Sequence, residues 1–257
     1  MSDAQAWQEY GYRVVSAAPI TPAIRELWLA PCDGTLSYQP GQYVLLSDTA
    51  HRLPPRSYSL ANAPRADGRV SLLVTRFPGG PTSGWVHDVL HRGDEVALAG
   101  PYGSFVPGDD RDCPVLLLAA GSGLAPIRAL AEALLADDPA RKVTLFFSAR
   151  TAADAIDQAR FEDWARAYSA FRYLLTLTRD PAAPRHRHIP DLLADTLDSL
   201  RGWEVFTAGP SGFVTGCAAA ARALGAAATA VHTEEFFSDP QPWIEAPPVA
   251  PESSVWR

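Results

Sequence analysis

Val115-Leu116-Leu117-Leu118-Ala119-Ala120-Gly121-Ser122-Gly123-Leu124-Ala125-Pro126 is the stretch on which the architecture turns. Its apolar run does not alternate, which marks a strand buried on both faces and hence a parallel sheet. The glycines permit a tight turn and close backbone approach, and a helix from Leu124 to Ala136 is expected directly after. Unpaired N–H groups at such a helix start favour a pyrophosphate. Gly-x-Gly-x-x-Pro is not the usual Gly-x-Gly-x-x-Gly fingerprint. No acidic residue stands in the ribose-binding position roughly 20 residues on.

Downstream, strand and helix alternate. Strands are expected at Val143–Phe147, Phe171–Leu177, Glu204–Thr207 and Thr229–Thr233. Helices are expected at Ala153–Tyr168, Pro190–Leu200 and Ser211–Leu224. This order gives a parallel sheet covered on both faces, with ligands at the carboxyl ends of its strands. Ser148-Ala149-Arg150 closes one strand, and Arg179, Arg185 and Arg187 follow the next. Cations there suit a 2′-phosphate, so NADPH is expected over NADH; solvated surface arginines would read the same way. Ala208-Gly209-Pro210 is a further turn into a helix.

Upstream the pattern is different. Short alternating runs at Tyr12–Ser16, Ile24–Leu29, Gln42–Leu46, Arg69–Val74 and Glu95–Leu98 are separated by turns such as Pro40-Gly41 and Asp67-Gly68. They suggest a small antiparallel barrel, interrupted by one helix near Ser83–Leu90. Arg56-Ser57-Tyr58-Ser59 belongs to this half. On a strand, Arg56 and Tyr58 share one face, and Ser57 and Ser59 the other. A guanidinium fork suits a pyrophosphate, a phenol ring suits an aromatic system, and a hydroxyl can serve a ring nitrogen. Together they fit a flavin nucleotide, although an ordinary edge strand accounts for the same residues. Gly80-Pro81-Thr82-Ser83 is a second phosphate candidate, with Thr82 and Ser83 as hydroxyl donors; a plain loop with Ser83 as N-cap is the alternative.

The polar run Gly108–Asp112 marks the junction, giving domains over 1–110 and 111–237 and a Pro-rich tail over 238–257. That tail is expected to be partly ordered, because Trp243 and Trp256 are costly to leave in water; a linker or disordered end is the alternative. The net charge of -7 argues against general affinity for nucleic acid or anionic membrane. No apolar run is long enough for a membrane span and the N-terminus lacks a signal-peptide pattern, so a cytoplasmic monomer without a metal site is expected. Cys32, Cys113 and Cys217 are too few and too dispersed for an all-cysteine iron–sulfur cluster.

Taken in order, Pro40-Gly41-Gln42-Tyr43, Arg56–Ser59, Gly80–Ser83, Gly100-Pro101-Tyr102-Gly103, Gly121–Pro126, Ala208-Gly209-Pro210 and Glu234-Glu235-Phe236 resemble the ferredoxin–NADP reductase superfamily. The likeness is strongest to reductase components of bacterial oxygenases without a fused [2Fe–2S] domain. It implies an antiparallel flavin-binding barrel followed by a parallel-sheet nicotinamide-binding domain, with FAD and NADPH as cofactors. By resemblance, Arg56 holds the flavin pyrophosphate, Tyr58 packs on the isoalloxazine and Ser59 bonds near N5. Ser57 and Val74 join the flavin site, and Gly80, Thr82 and Ser83 take its phosphates. Gly121, Ser122, Gly123, Gly209 and Pro210, with Arg150 and Arg179, take the nicotinamide nucleotide. Phe236 covers the opposite flavin face, and Glu234 is a nearby proton or hydrogen-bond partner. Ser59, Glu234 and Phe236 are the implied catalytic residues.

Electrons would pass from NADPH through FAD to a ferredoxin or an oxygenase component, for which Arg52, Arg65, Arg69 and Arg76 could form a basic dock. Scattered solvated arginines are the alternative there. Reduction of free flavin or quinone is a rival activity, and a non-catalytic flavin- or NADPH-binding relay or sensor is a rival of another class. The family often has Cys-Gly-Pro where this chain has Ala208-Gly209-Pro210, which removes a thiol from the nicotinamide side.

Overall fold

A computed structural model describes residues 8–108 and 110–236. The tail expected over 238–257 lies outside them. Six strands make the first half: β1 (Glu9–Pro19), β2 (Ile24–Asp33), β3 (Tyr43–Asp48), β4 (Arg56–Ser59), β5 (Val70–Thr75) and β6 (Glu95–Tyr102). They pair antiparallel in the order β4-β3-β6-β1-β2-β5. A bridge from Leu60, just past β4, to Leu72 of β5 brings the two edges together, so the sheet is nearly closed.

Alternation decides which side chains fill this barrel. Tyr12 and Val14, Leu27 and Leu29, Val44 and Leu46, Val70 and Leu72, and Val96 and Leu98 form one buried cluster. The interrupting helix α1 (Pro81–Asp88) adds Val86 to it. This helix begins two residues before the expected Ser83, because Pro81 has a fixed φ and no N–H to satisfy and so suits the first helical turn. Its last carbonyls are held from the barrel: Arg25 donates to Val86 O and His87 O, both at 2.8 Å.

The second half contains β7 (Val115–Ala120), α2 (Leu124–Asp137), β8 (Val143–Ala149), α3 (Gln158–Ala167), β9 (Phe171–Leu177), α4 (Ile189–Thr196), β10 (Glu204–Gly209), α5 (Ser211–Ala223) and β11 (Val231–Glu235). The strands are all parallel, in the order β11-β10-β7-β8-β9. As the unbroken apolar run requires, Val115 to Ala119 are fully buried. Leu117 and Ala119 pack with α2 and Phe161 of α3, while Leu116 and Leu118 pack with α4 and α5.

One expected helix is shorter than its pattern. The segment from Ala153 to Tyr168 divides into a 3-10 turn at Ala152–Asp154 and α3. Thr151 and Asp154 form a reciprocal capping box around that turn, and Asp157 takes a left-handed conformation at φ 54°, which a continuous helix cannot contain. The final strand also starts later than expected, at Val231, because Ala228–Ala230 forms another 3-10 turn.

The chain leaves β7 in one direction through β8 and β9, then returns to the other side of β7 for β10 and β11. The carboxyl ends of β7 and β10 are therefore neighbours at a topological switch point, where open α/β sheets bind ligands. Ile24, Ala61, Leu73 and Phe105 of the barrel half join the core on the α2 face, so the two halves share packed apolar surface.

Candidate active site between the barrel and the parallel sheet

β4 is a barrel edge strand that pairs only with β3, in the register Tyr43↔Ser59 to Leu46↔Arg56. Its burial pattern puts Ser57 outside, Arg56 and Tyr58 half-buried and Ser59 inside. Tyr58 packs partly against the barrel core, and burial pushes its phenol up to about 12, with Arg56 opposing the shift. It therefore offers a flat neutral surface rather than an acid. Among the described residues, the Arg56 guanidinium reaches only the carbonyl of Pro55, at 3.2 Å.

From the opposite half, β11 carries Glu234 to the same place. Ser59 Oγ donates to Glu234 Oε1 at 2.5 Å. Glu234 Oε2 is buried and has no hydrogen-bond partner among the described residues. Burial pushes the Glu234 carboxyl up to about 7, with the Ser59 hydrogen bond pulling the other way. A group balanced between acid and base forms near neutral pH can hold or release a proton at the Ser59 hydroxyl. Beside the pair is a cavity of about 240 Å³, between Tyr43, Gly103 and Phe105 of the barrel half and His232, Thr233 and Glu234.

Phe236 is fixed just beyond. Its N–H donates to Gly209 O at 2.8 Å, and its half-buried ring packs on the core of the α2 face. Gly209 has φ 153° and Pro210 caps α5. The glycine turn after β7 lies against this point. Gly121 has φ 56°, and a Cβ there would meet open space. At Gly123 a Cβ would lie 2.3 Å from Ala208 O, so this glycine permits close packing of the turn on β10. Ser122 shares a 2.8 Å hydrogen bond with Thr75 at the end of β5.

The turn at Gly80 differs from expectation. Thr82 Oγ1 donates to Pro54 O at 2.6 Å, and Ser83 Oγ accepts from the Phe77 N–H at 3.1 Å. Both side chains are buried, so the hydroxyls are engaged internally; the turn can offer a phosphate the first N–H groups of α1 instead. Nor does Ser83 act as the N-cap, a position held by Gly80. Val74 sends its side chain into the barrel core, and its carbonyl lies 2.9 Å from His87 Nε2.

Arg150 and Arg179 converge through the β8–β9 register: the Arg179 N–H donates to Arg150 O at 2.8 Å. The Arg150 guanidinium rests on Asp154 at 2.8 Å, while Arg187 is drawn away to Asp195 at 2.5 Å. The four arginines suggested for a basic dock are mostly neutralised locally. Arg52 pairs with Asp48, Arg65 and Arg69 share Asp67, and Arg76 pairs with Asp88.

Several residues were missed in sequence. Arg128 is fully buried between the halves, and Glu132 Oε2 accepts from the Ala63 N–H at 2.9 Å. Glu204 accepts from the Gly108 N–H at 2.8 Å and lies 3.1 Å from His232 Nε2. Burial pushes Glu204 upward, but His232, the Gly108 N–H and Arg141 together hold it below its ordinary value. A signal existed for Arg128, a lone cation inside the apolar helical run Leu124–Leu135. None existed for Glu204, which reads only as the start of a strand.

Residues 17–106 match the oxidoreductase FAD-binding domain family, and residues 117–219 the oxidoreductase NAD-binding domain family. The chain is 34% identical over 228 residues to the aromatic O-demethylase reductase subunit of an Amycolatopsis species, covering 87% of this chain and 68% of that one. The chain belongs to the ferredoxin–NADP reductase superfamily.

Another relative in the superfamily is ferredoxin–NADP reductase B of Sorangium cellulosum, 33% identical over 188 residues, or 70% of this chain and 77% of that one. The crystal structure of an Amycolatopsis cytochrome P450 reductase superposes with a TM-score of 0.82 at 33% identity, covering 90% of this chain and 70% of that one. The chain spans between 48% and 68% of the oxygenase reductases it matches. Membership in the superfamily makes FAD and a nicotinamide nucleotide the cofactors, and the donor set fits them. Among the described residues, Glu234 has a buried carboxyl oxygen without a partner, the Arg56 guanidinium bonds only the neighbouring Pro55 carbonyl, and a Cβ on Gly121 would meet open space, all of which leave room for such ligands. Among the described residues, no helix is long and apolar enough to cross a membrane.

Proposed function

We propose that the chain is an NADPH-dependent, FAD-containing reductase that delivers electrons to a separate one-electron acceptor, a ferredoxin or an oxygenase component. Each NADPH gives up a hydride to become NADP⁺; two acceptor molecules take one electron each, and one proton is released. Bound FAD supplies the exchange between two-electron and one-electron chemistry.

The observation that carries this reading is the 2.5 Å bond from Ser59 to Glu234, with the carboxyl poised near neutrality. Ser59 presents a hydroxyl that both donates and accepts. Glu234 holds the exchangeable proton behind it. Arg56 and the start of α1 would hold the flavin pyrophosphate, and Tyr58 its ring. Phe236 would shield the ring and exclude water until the nicotinamide takes its place. Gly121, Ser122 and Gly123, with Gly209 and Pro210 opposite, would seat the dinucleotide. Arg150 and Arg179 favour a 2′-phosphate, hence NADPH over NADH. The relatives named as oxygenase reductases support the choice of acceptor. Three dispersed free cysteines fit a reducing cytoplasm, where we expect the chain to act as a monomer.

The test is anaerobic titration of the purified protein carrying FAD. NADPH should bleach its yellow colour faster than NADH, and turnover with a one-electron dye should exceed turnover with quinone. A protein that binds FAD without being reduced by either nucleotide would overturn the reading.

A further inference from the structure

Arg128 sits one turn into α2, the helix that starts directly after Gly121–Gly123. Its side chain is fully buried. The guanidinium uses all three nitrogens: Nε donates to Ala61 O at 2.5 Å, Nη1 to Asp157 Oδ2 at 2.6 Å, and Nη2 to Glu26 Oε1 at 2.6 Å and Ser71 Oγ at 3.0 Å. Three of these partners belong to the barrel half; Asp157 belongs to the parallel-sheet half.

Ala61 is two residues beyond Ser59, and its N–H is tied to Ser71 O at 2.8 Å. Ser71 Oγ in turn donates to Glu26 Oε1 at 2.7 Å. The fork thus holds the exit of the strand that carries Ser59, while its own backbone belongs to the helix that begins at the dinucleotide turn. Asp157 is itself held in a left-handed conformation at φ 54°, unusual for a residue with a Cβ, and it receives Arg160 at 3.5 Å as well. Apolar packing alone could glue the halves together, but it tolerates sliding. A planar, buried cation bonded at every nitrogen fixes distance and tilt, because any slip leaves charge unpaired out of water.

We propose that Arg128 is the positioning residue for hydride transfer, setting the separation of the flavin seat on the barrel from the nicotinamide seat on the parallel sheet. The inference rests on the proposed function. Hydride transfer needs reacting atoms about 3–3.5 Å apart, and a misplacement of about 1 Å can cost on the order of 100-fold. Neither seat contains Arg128, so its effect is expected on the transfer step rather than on the affinity of either nucleotide.

The experiment compares the parent protein carrying FAD with Arg128→Lys, Arg128→Gln and Glu26→Gln. Each variant is checked for FAD content, thermal unfolding and amide hydrogen exchange over residues 59–63. Anaerobic stopped-flow reduction by NADPH then follows, with the long-wavelength charge-transfer absorbance between nicotinamide and flavin recorded. Arg128→Gln should reduce about 10–100-fold more slowly with a weakened charge-transfer band. FAD content and KM for NADPH should stay within about threefold, the difference a contact in neither seat makes. Exchange at 61–63 should quicken, and Arg128→Lys should recover part of the rate. Should Arg128→Gln fail to fold, Glu26→Gln must show the same split with a smaller loss.

Variants that fold, hold FAD and reduce at the parental rate with a full charge-transfer band overturn the proposal. So does a rate loss that merely tracks lost FAD. A parent protein that NADPH cannot reduce overturns the proposed function instead, a result read before any variant is made.

Discussion

Ser59 Oγ and Glu234 Oε1 are 175 residues apart in sequence and 2.5 Å apart in space, one at the edge of the barrel and the other at the end of the last parallel strand. The bond crosses the junction of the two halves beside a cavity of about 240 Å³. It couples a hydroxyl suited to a ring nitrogen with a carboxyl that titrates near neutrality.

Replacing Ser59 by Ala removes the group that lowers the Glu234 pKa, so the carboxyl should rise further above 7. FAD should remain bound, because Arg56, Tyr58 and the start of α1 are untouched. Reduction by NADPH is expected to slow about 100-fold, the low end of what a positioned proton-handling group contributes. Stopped-flow reduction at matched FAD content measures it, and a parental rate would remove Ser59 from the mechanism.

The raised Glu234 pKa has a consequence for stability. Its folded value of about 7 lies above the ordinary 4.5, so between those values the folded state holds a proton that the unfolded chain has lost. The stabilisation is complete below pH 4.5 and is lost as pH rises through about 7. Glu234→Gln stays neutral throughout. At pH 8 it should exceed the parent by on the order of 3 kcal/mol, and below pH 4.5 the two should converge. Urea midpoints across that range read the difference; a gap that does not vary with pH would contradict the shift.

Gly121 and Gly123 should respond differently to alanine. At Gly121 the new Cβ meets open space but φ is 56°, so the cost is about 1–2 kcal/mol. At Gly123 the Cβ would sit 2.3 Å from Ala208 O, a backbone atom with no freedom to retreat without moving β10. Gly123→Ala should therefore lower the melting temperature more than Gly121→Ala, as calorimetry of the two proteins would establish.

Glu204 anchors the segment leaving the barrel through Gly108 and meets His232 and Arg141. Glu204→Ala leaves the buried Arg141 without its carboxylate and frees the Gly108 N–H and His232, and should cost about 1–3 kcal/mol at pH 7. Because its folded pKa is depressed, the parent's advantage is present above the unfolded value and fades as pH falls through the folded one. Thermal unfolding of the two proteins at pH 7 and in acid would reveal the convergence.

Arg150, half-exposed beside Asp154, is proposed to recognise the 2′-phosphate. Arg150→Ala should lower kcat/KM for NADPH about 10-fold while leaving NADH nearly unchanged, in keeping with one charged hydrogen bond. Equal losses with both nucleotides would place the residue outside the phosphate seat.

Much of this was legible before folding. The unbroken run Val115–Ala119 announced a strand buried on both faces, and alternation at Tyr12–Val14 and Val70–Val74 announced a barrel filled from one side, because side-chain period reports local burial directly. Arg56–Ser59 and Glu234–Phe236 stood out through resemblance to the superfamily, and the structure brings Ser59 and Glu234 into contact. Asp157 escaped, since a left-handed residue leaves no trace in hydrophobic period. In sequence the hydroxyls of Thr82 and Ser83 look like ligand donors, because sequence cannot say which backbone atoms will come within reach. The sequence alone determined the two halves and the kinds of chemical group they carry. Only the tertiary structure decided that Ser59 meets Glu234, that Arg128 meets Glu26, Ala61 and Asp157, and that Arg65 and Arg76 are neutralised by nearby acids. Burial period is a property of neighbouring residues, whereas pairing across a domain junction depends on how two separately formed surfaces dock.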